Sequence, residues 1–299
     1  MASHSLGLTL YDAARQMGVS FSQENEPAEK SAQVDGMNFH YLEWGDSSNP
    51  TILMLHGNSQ QSHSWDFVSL ALSEQFHLIV LDQRGHGDSD HTKEGYPVTA
   101  FASDLHQFAT TLGITPFDLV GHSLGSRNAI SFAGDHSDLL RHAVLVDCGP
   151  ELPVQGARGV KGRIGERPKG FRNLEEAAGY YRERSPTWSQ EHIERTAEHA
   201  LRRNWAGKLV WKHDPELFWI TTSGGKMEIP HLWEQWKKIT CPTLVVRGES
   251  SDILDTETMR KMLALTPSAR GAEIKDSGHQ VPVDQPEEFE RVVLEFLRS

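Results

Sequence analysis

A serine lies between two glycines in the stretch Phe117-Asp-Leu-Val-Gly-His-Ser-Leu-Gly125, and its surroundings suit a nucleophile. The stretch begins as a short apolar run and leads into helix-favouring residues, so Ser123 falls at a predicted strand-to-helix turn. Such a turn projects a side chain beyond the carboxyl end of the strand, where open α/β sheets bind ligands. Side chains in place of the two glycines would clash in so sharp a turn. The serine is therefore a candidate nucleophile.

A serine hydroxyl is a poor nucleophile unless a base accepts its proton and a third group orients that base. The sequence contains 16 histidines, and position favours His279, which lies in a turn-rich stretch after the last predicted strand, Gly271 to Lys275. We expect the acid to be Asp252, in the loop after the strand that precedes it. Asp147, at the end of an earlier strand, stays open as the alternative. Asp252 gives the chain order Ser, Asp, His, which is typical of α/β sheets of this kind.

An attacking serine also needs two N–H donors for the negative oxygen of the tetrahedral intermediate. The amide of Leu124, directly after the serine, is one candidate. The loop His56-Gly57-Asn58-Ser59 follows an apolar run, and the amide of Asn58 is the second candidate.

Short apolar runs separated by amphipathic stretches must position these residues. Runs rich in Val, Ile and Leu are typical of parallel strands covered on both faces, so the class is α/β with a doubly wound sheet. Residues Gln33 to Trp44 predict an antiparallel hairpin with Asp35-Gly36 as its turn. The predicted parallel strands are Thr51–Leu55, His77–Leu81, Phe117–Val120, Ala143–Val146 and Thr243–Val246.

The domain prediction has four parts: a polar extension over 1–30 with a short helix near Leu10 to Met17, a core over 31–150, a helical insert over 151–232, and the rest of the core over 233–299. Helices in the insert are expected over Asn173–Arg184, Ser189–Asn204 and around Pro215–Trp219. The insert holds 14 Lys and Arg against 11 Asp and Glu, so an anionic substrate is one possibility. Its tryptophans are candidate pocket residues: Trp188, Trp205, Trp211 and Trp219.

Composition excludes several classes of function. The net charge of −12 argues against a nucleic-acid partner. No apolar run approaches the roughly 18 residues of a membrane span, and the first residues do not resemble a secretion signal, so a cytoplasmic location is expected. Cys148 and Cys241 are expected to be buried free thiols. The oligomeric state stays open.

Four motifs together resemble the α/β-hydrolase family: His56-Gly57, Asp82-Gln-Arg-Gly-His-Gly-Asp-Ser89, Gly121-His-Ser-Leu-Gly125, and Gly278-His279 followed by Asp284-Gln-Pro286. The resemblance covers residues 33–150 and 233–299 and implies a mostly parallel eight-stranded sheet. Residues 151–232 resemble the variable cap of that family, which covers the active site. Haloalkane dehalogenases and epoxide hydrolases of this fold use an aspartate nucleophile, so Ser123 argues against both. Cofactor-free haloperoxidases also resemble the chain but usually lack so long a cap.

The resemblance implies a serine hydrolase that cleaves a carboxylic ester or lactone of a small, largely apolar substrate through an acyl-enzyme, with no cofactor and no metal. One alternative is a hydrolase that breaks a carbon–carbon bond in a vinylogous diketone. Such enzymes usually carry a tryptophan after the catalytic histidine, whereas Gln280 follows His279 here. An alternative of another class is a small-molecule receptor of the same fold with residual hydrolase activity.

Overall fold

The computed structural model describes residues 9–221 and 223–299, and of residues 163, 219–221 and 223–224 it describes the backbone alone. Within these residues the strands are β1 (Ala28–Val34), β2 (Met37–Trp44), β3 (Thr51–Leu55), β4 (His77–Leu81), β5 (Phe117–His122), β6 (Leu140–Val146), β7 (Leu201–Arg203), β8 (Leu209–Trp211), β9 (Thr243–Gly248) and β10 (Ala269–Ile274). The α-helices are α1 (Leu10–Gln16), α2 (Asp66–Leu72), α3 (Val98–Leu112), α4 (Leu124–His136), α5 (Val154–Gly165), α6 (Leu174–Arg184), α7 (Gln190–Ala200), α8 (Ser223–Met227), α9 (Ile229–Lys238), α10 (Thr256–Leu265), α11 (Val281–Asp284) and α12 (Pro286–Leu297).

Eight of the strands form one sheet in the order β1-β2-β4-β3-β5-β6-β9-β10. Within this sheet β4, β3, β5, β6, β9 and β10 pair in parallel, whereas β2 is antiparallel to both β1 and β4. Asp35 and Gly36 form the hairpin turn with φ of 48° and 80°, which suits an Asp-Gly pair. The predicted class, an eight-stranded mostly parallel sheet, is confirmed. The first strand begins earlier than expected, at Ala28.

Both faces of the sheet are covered, which explains why the parallel strands are almost continuously apolar. Leu53, Leu119 and Leu145 point to one face, into a core that also takes Phe108 of α3 and Trp236 of α9. Alternate strand residues point to the other face, where α1, α2 and α12 supply apolar partners: Ile52, Met54 and Val120 meet Leu10, Leu70 and Phe289.

The N-terminal extension contributes to this second core. Thr9 caps α1 through a capping box with Asp12, and Ala13 and Ala14 of the helix are buried. The short helix predicted near Leu10 is therefore present and packed, although residues 1–8 of the predicted extension lie outside the described part of the chain. No helix within the described residues has the length and apolar character to cross a membrane.

Residues 151–232, which we call the insert, leave the sheet after β6, and the chain returns to it at β9. The predicted helix over Ser189–Asn204 is too long, because α7 ends at Ala200 and β7 pairs with β8 in a small hairpin. The Asn204 side chain accepts the amides of Ala206 and Lys208 at 3.0 Å and so stabilises the turn that joins β7 to β8. The insert is thus helical with a two-stranded hairpin, and α5 was not predicted from the sequence.

Candidate active site

Ser123 lies between β5 and α4 in a backbone conformation that few side chains adopt, with φ of 56° and ψ of −112°. A Cβ atom at Gly121 would lie 2.3 Å from the carbonyl oxygen of Gly125. A Cβ atom at Gly125 would lie 2.4 Å from the carbonyl oxygen of Leu55. The two glycines are therefore required by the packing of this turn, and the strained serine points its hydroxyl away from the sheet edge.

His279 joins the serine to a carboxylate. Its Nε2 lies 2.9 Å from Ser123 Oγ, and its Nδ1 lies 2.8 Å from Asp147 Oδ2. A carboxylate against Nδ1 holds the proton on that nitrogen and leaves Nε2 free to accept the serine proton. The three side chains have the order and spacing of a charge-relay triad.

The expectation that Asp252 is the partner of His279 is wrong, because Asp147 occupies that place. Asp147 follows β6, the strand next to β5, and its φ of 51° turns the carboxylate towards the histidine. The loop after β9, where Asp252 lies, instead supplies hydrogen-bond donors to Asp147. Asp252 lines the same pocket as Ser123 and His279.

Asp147 is fully buried, and its carboxylate is well satisfied. The amide of Gly248 donates to Oδ1 at 2.9 Å, and the hydroxyl of Ser251 donates to Oδ2, the oxygen that also faces His279. Buried carboxylates remain ionised only when hydrogen bonds or cations compensate the lost hydration. Ser251 lies in a loop that the sequence had singled out, but nothing in its local pattern indicated this contact.

The two candidate oxyanion donors both lie close to Ser123. Leu124 is the first residue of α4, so its N–H has no acceptor within the helix. Asn58 lines the same pocket as Ser123. A Cβ at Gly57 would lie 3.1 Å from Ser123 Cβ, so the Asn58 loop passes directly beside the serine.

His122 and Gln60 hold this loop against the histidine. The ring of His122 places Nε2 2.9 Å from the carbonyl oxygen of His279, and Nδ1 3.3 Å from Gln60 Oε1. Gln60 Oε1 also accepts the amide of Gly57 at 2.8 Å, and its Nε2 donates to Gln280 Oε1 at 3.1 Å. Burial lowers the pKa of His122 to about 3, so its ring is neutral at physiological pH. His122 thus links the histidine loop to Gln60. Gln60 was not found from the sequence, since its partners are distant in the chain.

A pocket of about 350 Å³ opens above the triad and lies between the sheet edge and the insert. Ser123, His279, Asn58 and Gln280 form its floor, and α5, α6, α7 and β8 contribute its walls. This volume is in the range of pockets that bind small molecules.

The four tryptophans proposed for the pocket have different places. Trp188 and Trp211 line it. The prediction is wrong for Trp205, which is 99% exposed in the turn of the small hairpin. The side chain of Trp219 lies outside the described residues.

Within the part of the chain that the structure describes, two groups of histidine and aspartate have atoms close enough to hold a metal ion: His63, Asp66 and His199, and His40, Asp82 and Asp88. In the first group Asp66 is already paired with Arg195. In the second, Asp82 accepts His40 Nδ1 and the amides of Ser62 and Asp88, which fixes the loop after β4. Internal partners thus engage both carboxylates.

Cys148 and Cys241 are buried free thiols, as predicted.

The model of the alpha/beta hydrolase fold family matches residues 50–286, which include the serine turn, Asp147 and His279. The chain belongs to this family. Three similar proteins illustrate its range. One is the 2-(acetamidomethylene)succinate hydrolase of Mesorhizobium japonicum, 28% identical over 84% of this chain and 88% of that protein. A second is an esterase of Mycobacterium tuberculosis, 29% identical over 97% of this chain and 93% of that protein.

The third is the crystal structure of an E-2-(acetamidomethylene)succinate hydrolase. It superposes on this α/β hydrolase with a TM-score of 0.85 at 26% identity, over 92% of this chain and all of that one. The similarity therefore spans the sheet and the insert alike, while the relatives' names describe different reactions.

Proposed function

We propose that this α/β hydrolase cleaves a carboxylic ester or lactone of a small molecule through an acyl-enzyme, with Ser123, His279 and Asp147 as its catalytic residues. The observation that supports the proposal most is the position of His279, which lies 2.9 Å from the serine hydroxyl and 2.8 Å from a buried carboxylate. The esterase of M. tuberculosis among its relatives acts in the same class of reaction.

The proposed steps use this geometry. His279 Nε2 accepts the proton of Ser123 as Oγ attacks the carbonyl carbon, and Asp147 stabilises the resulting imidazolium through Nδ1–H. The amides of Asn58 and Leu124 donate to the oxyanion of the tetrahedral intermediate. His279 then protonates the leaving alcohol, and the acyl group stays on Ser123. Water, activated by the same histidine, releases the acid in a second round of these steps.

We further propose that the insert acts as a cap over this site, since residues of α5, α6 and α7 form the pocket walls. Val160, Ile164, Trp188 and Trp211 provide apolar surface for the body of the substrate.

A first experiment compares the wild type with Ser123→Ala on p-nitrophenyl esters from acetate to octanoate, with intact-mass analysis. We expect kcat to fall by roughly 10⁴-fold or more in the variant, because nothing else near the carbonyl replaces the nucleophile. The mass of the wild type should rise by one acyl group, and that of Ser123→Ala should not.

Unchanged turnover by Ser123→Ala would refute the mechanism. A folded wild type that turns over no ester would favour the alternatives. A ring-fission dienoate then tests carbon–carbon hydrolysis, and ligand-dependent movement of the insert with very slow turnover tests the receptor.

A further inference from the structure

The pocket over the triad carries an excess of positive charge on the insert side. Arg167, just after α5, and Arg184, at the end of α6, both line it. Asp252 is the single carboxylate among the described lining residues, against these two guanidinium groups. The protein as a whole has the opposite balance, with a net charge of −12. The pocket thus shares the positive excess of the insert, in contrast to the acidic balance of the protein as a whole.

Arg167 is partly buried and held by neutral partners. Its guanidinium carbon lies 5.6 Å from the centroid of the Trp211 ring, and Nη1 lies 3.5 Å from His213 Nε2. Burial, with the nearby Arg167 as the next cause, lowers the pKa of His213 to about 3, so this imidazole is neutral. Within the described residues no carboxylate pairs with Arg167. The ring and the imidazole orient the guanidinium but leave its charge uncompensated.

Arg184 is exposed at the mouth of the pocket and also lies over an aromatic ring. Its guanidinium carbon lies 4.0 Å from the centroid of the Tyr180 ring, and no carboxylate of the described chain pairs with it. Tyr180 and Trp211 themselves contact each other, with centroids 5.8 Å apart, so one aromatic cluster supports both arginines.

Buried and half-buried arginines elsewhere in the protein are neutralised by the protein itself. Buried or half-buried carboxylates pair with three of them: Arg84 with Asp104, Arg127 with Glu228, and Arg195 with Asp66. A partly buried cation without such a partner lacks both full hydration and a counter-ion. Arg167 is such a cation in the substrate pocket, and its position is explained if the substrate brings the counter-ion; the exposed Arg184 adds positive charge beside it.

We propose that the substrate of this site carries a carboxylate, which Arg167 binds inside the pocket and Arg184 attracts at its mouth. The proposal rests on the proposed hydrolase function and adds the chemical class of the substrate. A guanidinium can bind a carboxylate through two parallel hydrogen bonds, which fixes the orientation of the ligand as well as its charge. The apolar walls would then enclose the part of the substrate between the carboxylate and the scissile carbonyl.

The test uses matched ester pairs in which methylation removes one charge. The first set compares the mono-p-nitrophenyl esters of adipate and suberate with the same p-nitrophenyl esters whose free carboxylate is methylated. The second set compares 4-acetoxybenzoate with its methyl ester. The two sets place the carboxylate on the acyl side and on the alcohol side. We expect the wild type to prefer one acidic ester by about tenfold or more in kcat/KM, and this preference should weaken as salt is raised.

Arg167→Gln should lower the ratio of acidic to neutral kcat/KM by about tenfold, mainly through KM, and Arg167→Lys should lower it less. Arg184→Gln should lower it by a few-fold. The matched control is Arg182→Gln, on the same helix as Arg184. The exposed guanidinium of Arg182 donates to Gln190 and does not line the pocket. This control should keep the wild-type ratio.

Equal kcat/KM of the wild type for acidic and neutral esters would overturn the proposal while leaving the esterase mechanism intact. So would an unchanged ratio in Arg167→Gln. If no ester is hydrolysed, the proposed function fails, and calorimetric titration of Ser123→Ala with adipate decides the substrate class separately. Binding that Arg167→Gln abolishes in this background would support the carboxylate site, and no binding would overturn it.

Discussion

The sheet edge and the insert differ in whether their charged groups have counter-ions or hydrogen-bond partners within the protein. At the sheet edge each charged group has a partner within the protein: Asp147 is buried but receives three hydrogen bonds, and the loops that carry the triad are tied to neighbouring strands, as where Ser123 N–H donates to the carbonyl of Val146 at 3.0 Å. On the insert side of the same pocket, Arg167 and Arg184 rest on aromatic rings without a carboxylate partner in the described chain. The difference supports the proposal that the ligand supplies the counter-ion for Arg167, whereas the triad is assembled without a ligand.

The largest effect is expected when the buried acid of the triad loses its charge. In Asp147→Asn the amide no longer stabilises an imidazolium and can favour the wrong tautomer of His279. We expect kcat to fall by roughly 10³- to 10⁴-fold with little change in fold. Steady-state kinetics with a p-nitrophenyl ester, together with the thermal midpoint, measures both effects.

Asp252→Asn is the matched variant, since Asp252 lies in the adjacent loop and lines the pocket. We expect a loss in kcat of less than about tenfold. If Asp252→Asn were the more damaging of the two, the assignment of the acid to Asp147 would be wrong.

The same pair of aspartates shows how far sequence reasoning reaches. The serine turn and the histidine loop were predictable because local patterns, a glycine-flanked turn and a turn-rich loop after the last strand, decide them. The choice between Asp147 and Asp252 was not, because both follow parallel strands and both lie at the same edge of the sheet. It depends on the direction in which each turn points its side chain, and the positive φ of Asp147 has no local signature such as a glycine.

The insert was harder to predict for a related reason. Strands β7 and β8 have only three residues each, and β7 reads Leu-Arg-Arg, so the hairpin has no apolar alternation. The positions of Gln60 and Arg167 depend on contacts between distant segments. By contrast, the predicted strands Thr51–Leu55 and His77–Leu81 match the observed bounds, because burial on both faces makes such strands continuously apolar.

A buried ion pair joins α7 of the insert to α2 of the core. Arg195 of α7 donates through Nε to Asp66 of α2 at 2.8 Å, and Asp66 is almost fully buried. Arg195 and His63 hold the pKa of Asp66 below its ordinary value despite burial. Arg195→Met leaves this carboxylate without its main counter-ion, so we expect the free energy of unfolding at pH 7 to fall by about 3 kcal/mol. Urea denaturation measures the change.

The control is the double variant Asp66→Leu with Arg195→Met, which removes both charges and should recover much of the loss. Because the pKa of Asp66 is lowered in the folded state, the stability it contributes is present above its unfolded pKa and is lost as pH falls. The difference between wild type and Arg195→Met should therefore shrink in acid. A difference that stays constant from pH 7 to pH 3 would show that lost packing, and not the ion pair, explains the effect.

The smallest expected effect comes from replacing tryptophans of the insert. It should distinguish a tryptophan in the pocket wall from one on the surface. Trp188 lines the pocket, and the centroid of its ring lies 4.3 Å from that of His192. Trp205, by contrast, is 99% exposed. Trp188→Ala removes apolar surface from the wall, so we expect KM for the octanoate ester to rise by about five- to tenfold, or roughly 1 kcal/mol. The effect on the acetate ester should be smaller, because the shorter acyl chain covers less of the wall. Trp205→Ala should leave both KM values as they are. Equal effects of the two substitutions would mean that the wall of the insert does not contact the acyl chain, and the length preference would then have to come from the sheet edge.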